Sequence, residues 1–395
     1  MDMAVAPVEL PRVAVFIPCY MPNEAPIIME TLEHMTASEY DGELDFYVVY
    51  NTPYDMEIEK ELAKLKRMNG RKVHCQRVPG SKSKADNLEY GLLNYTEKGG
   101  ICVLFDADHH PRPNTIRGLV SILLQSPDVV AVQGAVLIER NGPWLLRRLL
   151  DGMEWSSWSF YAPGFAEIVG SFYFGGGNAA WRVETLHTLG FDSTMLTEDI
   201  DISVRALASG YKMVAAPFLQ VGEMCPIDLR ALYKQRLRWA MGWEQVTGRR
   251  VYSLFSSPHI SEPRKWRTLL LIISRYMTLV SSAMGVFNVL KNLFFNFYLP
   301  QPAQWAGYGS VVVTVLMISM ITIALARQKE PWQRWVSVLV FCAVSLFYFF
   351  IQLTMILISI IRLTCCSGRA MVWVPTSRGK GSDSAPPPAL ADKKA

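Results

Sequence analysis

The residues whose types suggest chemistry fall in four short segments of this 395-residue chain. In "ICVLFDADHHP" (101–111), the apolar run Ile101 to Phe105 leads straight into Asp106 and Asp108. Such a run with no polar alternation reads as a strand buried on both faces. Residues two apart on a strand face the same way, so the two carboxylates are expected to converge at a sheet rim. Paired hard oxygen ligands suit Mg²⁺ or Mn²⁺, which bind a couple of carboxylates and take substrate phosphates at the remaining positions. The alternative is a strand-end turn with solvated acids. His109 and His110 are expected to orient the loop rather than bind the ion. "VPGSKSKADNLEYGL" (78–92) sets Lys82 and Lys84 at the head of a helix. Free N–H groups there also favour anions, which suits a diphosphate as well as it suits a solvated basic loop. "MLTEDIDIS" (195–203) places Glu198 and Asp199 at another helix start, where acids need no role beyond capping. "QRLRW" (235–239) spaces Gln235 and Trp239 one helical turn apart with Arg236 and Arg238 between them. A basic, aromatic helix close to a membrane segment also serves as an interfacial anchor.

These segments need elements to hold them. "RVAVFIPCYMPNE" (12–24) reads as a strand broken by Pro18, "LDFYVVYNTP" (44–53) as a second, "KVHCQRV" as a third and "ICVLFDAD" as a fourth. Between them lie the helical patterns "APIIMETLEHM", "MEIEKELAKLKRMNG" ending at Gly70, and "KADNLEYGLLNYT". That alternation predicts a mostly parallel sheet covered on both faces, with ligands beyond the carboxyl ends of the strands. The loops after Ile17, Tyr50 and Phe105 should therefore share one rim. Further on, "VVAVQGAVLIE" (129–139) reads as a strand and "FYFGGGNAAWRVETL" (172–186) as a glycine-rich turn into a helix. "TEDIDISVRALASG" (197–210) and "LYKQRLRWAMGWEQV" (232–246) read as helices.

Composition bounds the rest. The net charge of +4, without an arginine-rich block, argues against a nucleic-acid partner. The seven cysteines lack metal-ligand spacing and fit a reduced, cytosolic catalytic half. "MDMAVAPVELPR" has neither a basic n-region nor an apolar h-region, so a cleaved signal peptide is not expected. Apolar stretches at about 268–290, 308–326 and 335–361 are long enough to meet a bilayer; the first contains Arg275 and the others no charge. Arg264, Lys265 and Arg267, and later "RQKEPWQR", mark cytosolic flanks. The reading is a cytosolic domain over 1–250 that includes the "QRLRW" helix, interfacial and transmembrane helices over 251–363, a loop over 364–378, and a tail over 379–395 too poor in apolar residues to fold.

"KADNL", "DADH", "TED" and "QRLRW", in that order before membrane helices, resemble membrane-bound glycosyltransferase family 2, in its processive branch of cellulose, chitin and hyaluronan synthases. "FGGGNAAWR" (174–182) is similar to that family's acceptor-side Phe-x-Gly turn, and "WVPTSR" (373–378) to its gating loop. The resemblance covers about residues 10–378. It implies a GT-A-like α/β catalytic domain (Rossmann-like, mixed, mostly parallel sheet) followed by C-terminal transmembrane helices. It also implies transfer from a UDP-sugar to a growing β-linked polysaccharide, with inversion at the anomeric carbon.

By the same resemblance Pro18, Tyr20 and Glu24 line the nucleotide pocket, and Asp106 and Asp108 hold Mg²⁺ or Mn²⁺, Asp106 also facing the donor. Lys84, Arg236 and Arg238 offset the charge on departing UDP, and Asp199 is the general base. Phe174, Gly175, Gly176, Glu198, Gln235 and Trp239 form the acceptor side, and Trp373, Thr376 and Arg378 the gate. The chain departs from the pattern at Asn51, where the family has an aspartate for the base, and at Asp86, in place of a glycine in "KADNL". It also shows no membrane helix ahead of the catalytic domain. A gate and a catalytic domain that share the cytosolic side need an even number of crossings, so one stretch, the Arg275 one first, is expected in the interface or re-entrant. The expected location is the plasma membrane. Other readings are a non-processive glycolipid synthase of the ceramide glucosyltransferase kind, a dolichyl-phosphate sugar synthase and an inactive scaffold.

Overall fold

The computed structural model describes residues 10–97, 99–294 and 300–365. Along the chain run β1 (Val13–Tyr20), α1 (Met21–Glu24), α2 (Ile28–Thr36), β2 (Leu44–Asn51), α3 (Glu57–Lys64), β3 (Arg67–Met68), β4 (Arg71–Arg77) and α4 (Lys84–Tyr95). Next come β5 (Ile101–Leu104), β6 (His110–Pro111), α5 (Thr115–Gln125), β7 (Val129–Arg140), α6 (Trp144–Ser156), a π-helical turn (Ser157–Tyr161) and α7 (Ala162–Val169). The chain continues through β8 (Ala179–Arg182), α8 (Val183–Leu189), α9 (Glu198–Ala208), β9 (Lys212–Met224) and α10 (Leu229–Ser256). It ends in α11 (Glu262–Phe294), α12 (Gln301–Arg327) and α13 (Trp332–Cys365).

Among the described residues, nine strands form one sheet in the order β3-β4-β2-β1-β5-β8-β7-β9-β6. β4, β2, β1 and β5 are parallel, as crossover helices between strands require. The register runs from Val13 opposite Leu44 to Tyr20 opposite Asn51, which brings the ends of β1 and β2 to one rim. Pro18 does not break β1: it stays in register with Val49, at a point where β5 has already left the other side after Leu104.

The other half of the sheet is mixed rather than mostly parallel. β8 runs antiparallel between β5 and β7, and the segment read as a turn into a helix contains this central strand. Four residues are too few to show a period, and Ala179, Ala180 and Trp181 are all buried, so no alternation marks them. The helix expected to reach Gly70 ends at Lys64. Asn69 and Gly70 take positive φ values of 48° and 76° and turn β3 back onto β4, the hairpin chemistry of an Asn-Gly pair.

Beyond the sheet, α6 and α7 occupy a region to which the sequence assigned no element. α6 is the platform for the C-terminal helices. Gly152 lies against the Ser337 backbone with no room for a Cβ, Arg334 of α13 pairs with Asp151, and Trp155 Nε1 donates to Glu330 at 2.9 Å. Gly307–Arg327 and Phe347–Cys365 are, among the described residues, the helical stretches long and apolar enough to cross a membrane. α11 is not one of them, and its Arg275 reaches Glu244 on α10 at 3.1 Å. Trp373, Thr376 and Arg378, with the 379–395 tail, lie outside the described residues.

Candidate active site

A cleft opens beyond the carboxyl ends of β1 and β2, closed by the first turns of α4 and α9, the turn before β8, and α10. One end is neutral. Pro18, Tyr20, Asn51 and Asn87 line it. Asn87 Nδ2 donates to the Cys19 carbonyl at 3.1 Å and to Asn51 Oδ1 at 2.9 Å, and its Oδ1 accepts from Ser81 Oγ at 2.7 Å. These partners fix both amides. Asn51 spends its oxygen on Asn87 and keeps its Nδ2 for the cleft. Glu24 accepts from the Tyr20 amide at 2.7 Å and from Asn23 at 3.0 Å, so it shapes the loop after β1 while also lining the cleft.

The other end is charged. Ser83 caps α4 by accepting from the Asp86 amide, and the Asp86 carboxylate reaches back to the Lys82 amide at 2.9 Å. The unexpected acid thus serves the N-terminal turn of α4, tying down the residue before the cap. Neither it nor Lys82 lines the cleft. Lys84 points inward: its Nζ lies 2.5 Å from Asp106, 2.7 Å from the Gly176 carbonyl and 3.4 Å from Glu198. Burial works to lower the Lys84 pKa, but Asp106, Glu198 and Asp199 outweigh it and hold the ammonium above its ordinary range.

Asp199 stands in the first turn of α9, with its Oδ1 accepting from the Ile200 amide at 2.9 Å. Burial, then the neighbouring Glu198, push its carboxyl up to about 7, against the opposing pull of Lys84. A carboxylate poised there suits proton removal at neutral pH. Gly176, at φ 92°, threads between these groups. A Cβ on it would lie 3.1 Å from Asp199 Oδ2 and 3.5 Å from Lys84 Nζ.

The structure brings together Pro18, Tyr20, Glu24, Asn51, Lys84, Asp106, Gly175, Gly176, Glu198, Asp199, Gln235, Arg238 and Trp239. Gln235, Arg238 and Trp239 share one face of α10 because they are three and four residues apart. Arg236 sits about a quarter-turn away, buried, with Glu154 at 3.1 Å and the Trp239 ring 4.1 Å beneath it, so it is not brought to the cleft. Phe174 is also elsewhere, edge-on to Trp181 in the core.

The two aspartates do not lie on a strand. β5 stops at Leu104, and the His109 amide closes a turn onto the Asp106 carbonyl at 3.0 Å. Asp106 enters the cleft, whereas Asp108, 1% exposed, accepts from the Met224 amide of β9. Cleft residues that the sequence reading passed over are Asn23, Asn87, Thr197 and Glu223. Asn87 carried a signal, standing three residues after Lys84 on one helix face. Glu223 carried none, lying in β9 far from any motif.

Among the described residues, no group of three or more His, Cys, Asp or Glu is arranged to hold a metal by itself. The donor set fits an ion that takes a carboxylate such as Asp106 from the protein and completes its shell with phosphate oxygens and water.

The description "Glycosyltransferase like family 2" belongs to a family profile that matches residues 11–242, more than half the chain. Glucomannan 4-beta-mannosyltransferase 7 of Arabidopsis thaliana is 28% identical over 193 residues, 47% of this chain and 34% of that protein. The probable glycosyltransferase YdaM of Bacillus subtilis (strain 168) is 27% identical over 251 residues, 60% of this chain and 56% of its own. The chain thus spans about a third to about half of the length of these relatives. Among solved structures, the mannosyltransferase PcManGT from Pyrobaculum calidifontis superposes with a TM-score of 0.49 at 19% identity, covering 90% of each chain. The mixed α/β sheet is of the GT-A kind, and the chain belongs to glycosyltransferase-like family 2.

Proposed function

We propose that the chain is an inverting hexosyltransferase that moves a sugar from a nucleoside diphosphate, UDP by our reading, to a growing β-linked polysaccharide at the cytosolic face of a membrane. The observation that carries this reading is the division of the cleft. An end rich in amides suits a nucleobase, the inward-facing Lys84 and Arg238 suit a diphosphate, and a buried carboxylate, Asp199, lies beside them. In this mechanism Asp199 takes the proton of an acceptor hydroxyl as its oxygen attacks the anomeric carbon from the face opposite the nucleotide. The bond to the diphosphate breaks and an α-linked donor gives a β-linked product. Lys84 and Arg238 offset the charge left on the diphosphate. Gln235 and Trp239 hold the acceptor sugar, Trp239 with its apolar ring face. Asp106 would hold Mg²⁺ or Mn²⁺, which when bound supplies further charge neutralisation. Asp108 contributes by fixing the Asp106 turn onto β9 rather than by facing the cleft.

Two candidate spans among the described residues would leave the domain over 1–250 and the segment after α13 on one side, and the basic flanks of the apolar stretches favour the cytosolic side, with α11 in the interface. The plasma membrane is the location this reading carries. The matched mannosyltransferase relatives favour a mannosyl donor as a second reading.

The test is to offer detergent-purified protein UDP-glucose, UDP-N-acetylglucosamine, UDP-glucuronate and GDP-mannose, with Mn²⁺ and with excess chelator. Nucleoside diphosphate release and product length are followed, and linkage-specific hydrolases are applied to any polymer. Metal-dependent release with a β-linked polymer is expected. A single sugar added to lipid establishes the glycolipid synthase instead, and no release from any donor removes the proposal.

A further inference from the structure

The segment that delivers Glu198 and Asp199 to the cleft is gripped from α10, well away from the part of that helix that faces the cleft. Gln245 is 5% exposed and uses both ends of its amide: Oε1 accepts from the Leu196 amide and Nε2 donates to the Thr194 carbonyl, each at 2.9 Å. One turn earlier, Gly242 presses against the Thr197 side chain and leaves no room for a Cβ. One turn later, Arg249 reaches Thr194 Oγ1 at 3.1 Å, and Arg250 bonds Asp201 and Asp192 at 2.7 Å each. Met195, Ile200 and Val246 fill the space between as a small apolar cluster. The same helix carries Gln235, Arg238 and Trp239 into the cleft.

We propose that Gln245 is a positioning residue that fixes Asp199 relative to the acceptor-holding face of α10. One helix then carries both the surface that holds the acceptor and the anchor of the loop that deprotonates it. A primary amide is the side chain that suits the role, because it accepts from one backbone N–H and donates to a carbonyl two residues away. A carboxylate there would turn a lone pair on the Thr194 carbonyl, and a thioether would satisfy neither group. Reaction rates fall steeply with displacement of a catalytic group, about a hundredfold for an ångström.

This inference rests on Asp199 as the base, and the experiment separates the two. Gln245→Glu, Gln245→Met and Asp199→Asn are compared with the parent full-length protein, with turnover expressed per nucleotide-binding site. Both Gln245 variants are expected to lose roughly 10- to 100-fold in kcat with donor KM and nucleotide affinity unchanged. A role in stability alone would lower the number of binding sites and leave kcat per site intact, and that result overturns the proposal. If Asp199→Asn keeps its turnover, it is the base assignment that falls. Should the Gln245 variants fail to bind nucleotide, hydrogen exchange in the parent protein decides. Strong protection of the Leu196 amide supports the clamp, and exchange at the rate of an open loop overturns it.

Discussion

The two ends of the cleft are built on different physics. At the neutral end, Ser81, Asn87, Asn51 and the Cys19 carbonyl satisfy one another through hydrogen bonds whose donors and acceptors all match. At the charged end, Lys84 is shared by Asp106 and Glu198 while Asp199 stands close by, so three carboxylates press on one ammonium. The first arrangement is at rest and can read a shape. The second is under electrostatic strain, and a ligand that brings negative charge and takes a proton changes it most. The difference teaches where binding and turnover should separate: substitutions at the neutral end should act on donor KM, and those at the charged end on kcat.

The largest expected effect comes from Asp199→Asn, which removes the proposed base while preserving size. Turnover should drop by roughly a thousandfold or more, with nucleotide affinity close to the parent's in a titration. Affinity falling in parallel would merge the two ends. In the parent protein the proposed base would work only when deprotonated, so kcat should rise with pH through the region near 7, where burial and Glu198 hold Asp199. A pH-independent kcat from 5 to 8 would remove Asp199 from the chemistry.

Lys84→Met comes next, at about 10²-fold in kcat, the scale of losing one charge-stabilising donor. It has a signed consequence. Lys84 pulls the Asp199 pKa down, so its removal should move the rise in kcat to higher pH. An unmoved profile with reduced activity would mean that Lys84 serves the donor alone.

The same contrast explains what the sequence made legible. The parallel half of the sheet announced itself, because β1, β2 and β5 are long or continuous apolar runs separated by amphipathic helices. The charged end was legible for a related reason: Lys84, Asp106 and Asp199 stand in short motifs at element ends, and Arg238 in a short motif within α10. β8 escaped because four residues, three of them buried, carry no period, and α6 because nothing in its local pattern says that a later helix will pack on it. The two aspartates were placed on one strand face on a single assumption, that the strand continues to residue 108. The turn closed by the His109 amide sends one carboxylate into the cleft and the other into β9. Arg236 illustrates the limit of reading a motif as a unit, since helix geometry alone separates it from Arg238. The grip of Gln245 on the base loop was out of reach, because it joins residues 49 apart that only the folded chain brings together.

The smaller predictions return to the neutral end. Asn87→Leu unpairs Asn51 and the Cys19 carbonyl at once, and should raise donor KM about tenfold with kcat held, the effect of roughly one buried hydrogen bond's worth of free energy. An equal loss in kcat would show that the amide network also sets the charged end, for Asn87 lies one turn from Lys84 on α4.

Asn51→Asp is the finest probe. Asn87 Nδ2 still finds an oxygen to donate to, so the network survives, while the group left for the cleft changes from a donor to an acceptor. Expected is a change of only a few-fold in KM, with kcat unchanged and with relative affinity shifted among nucleotides that differ in the carbonyl and N–H groups of their base edges. If Asn51 presents its amide nitrogen to the base, the substitution must reorder those affinities. A uniform change across all bases would place the base elsewhere and leave residue 51 as a member of the hydrogen-bond network alone.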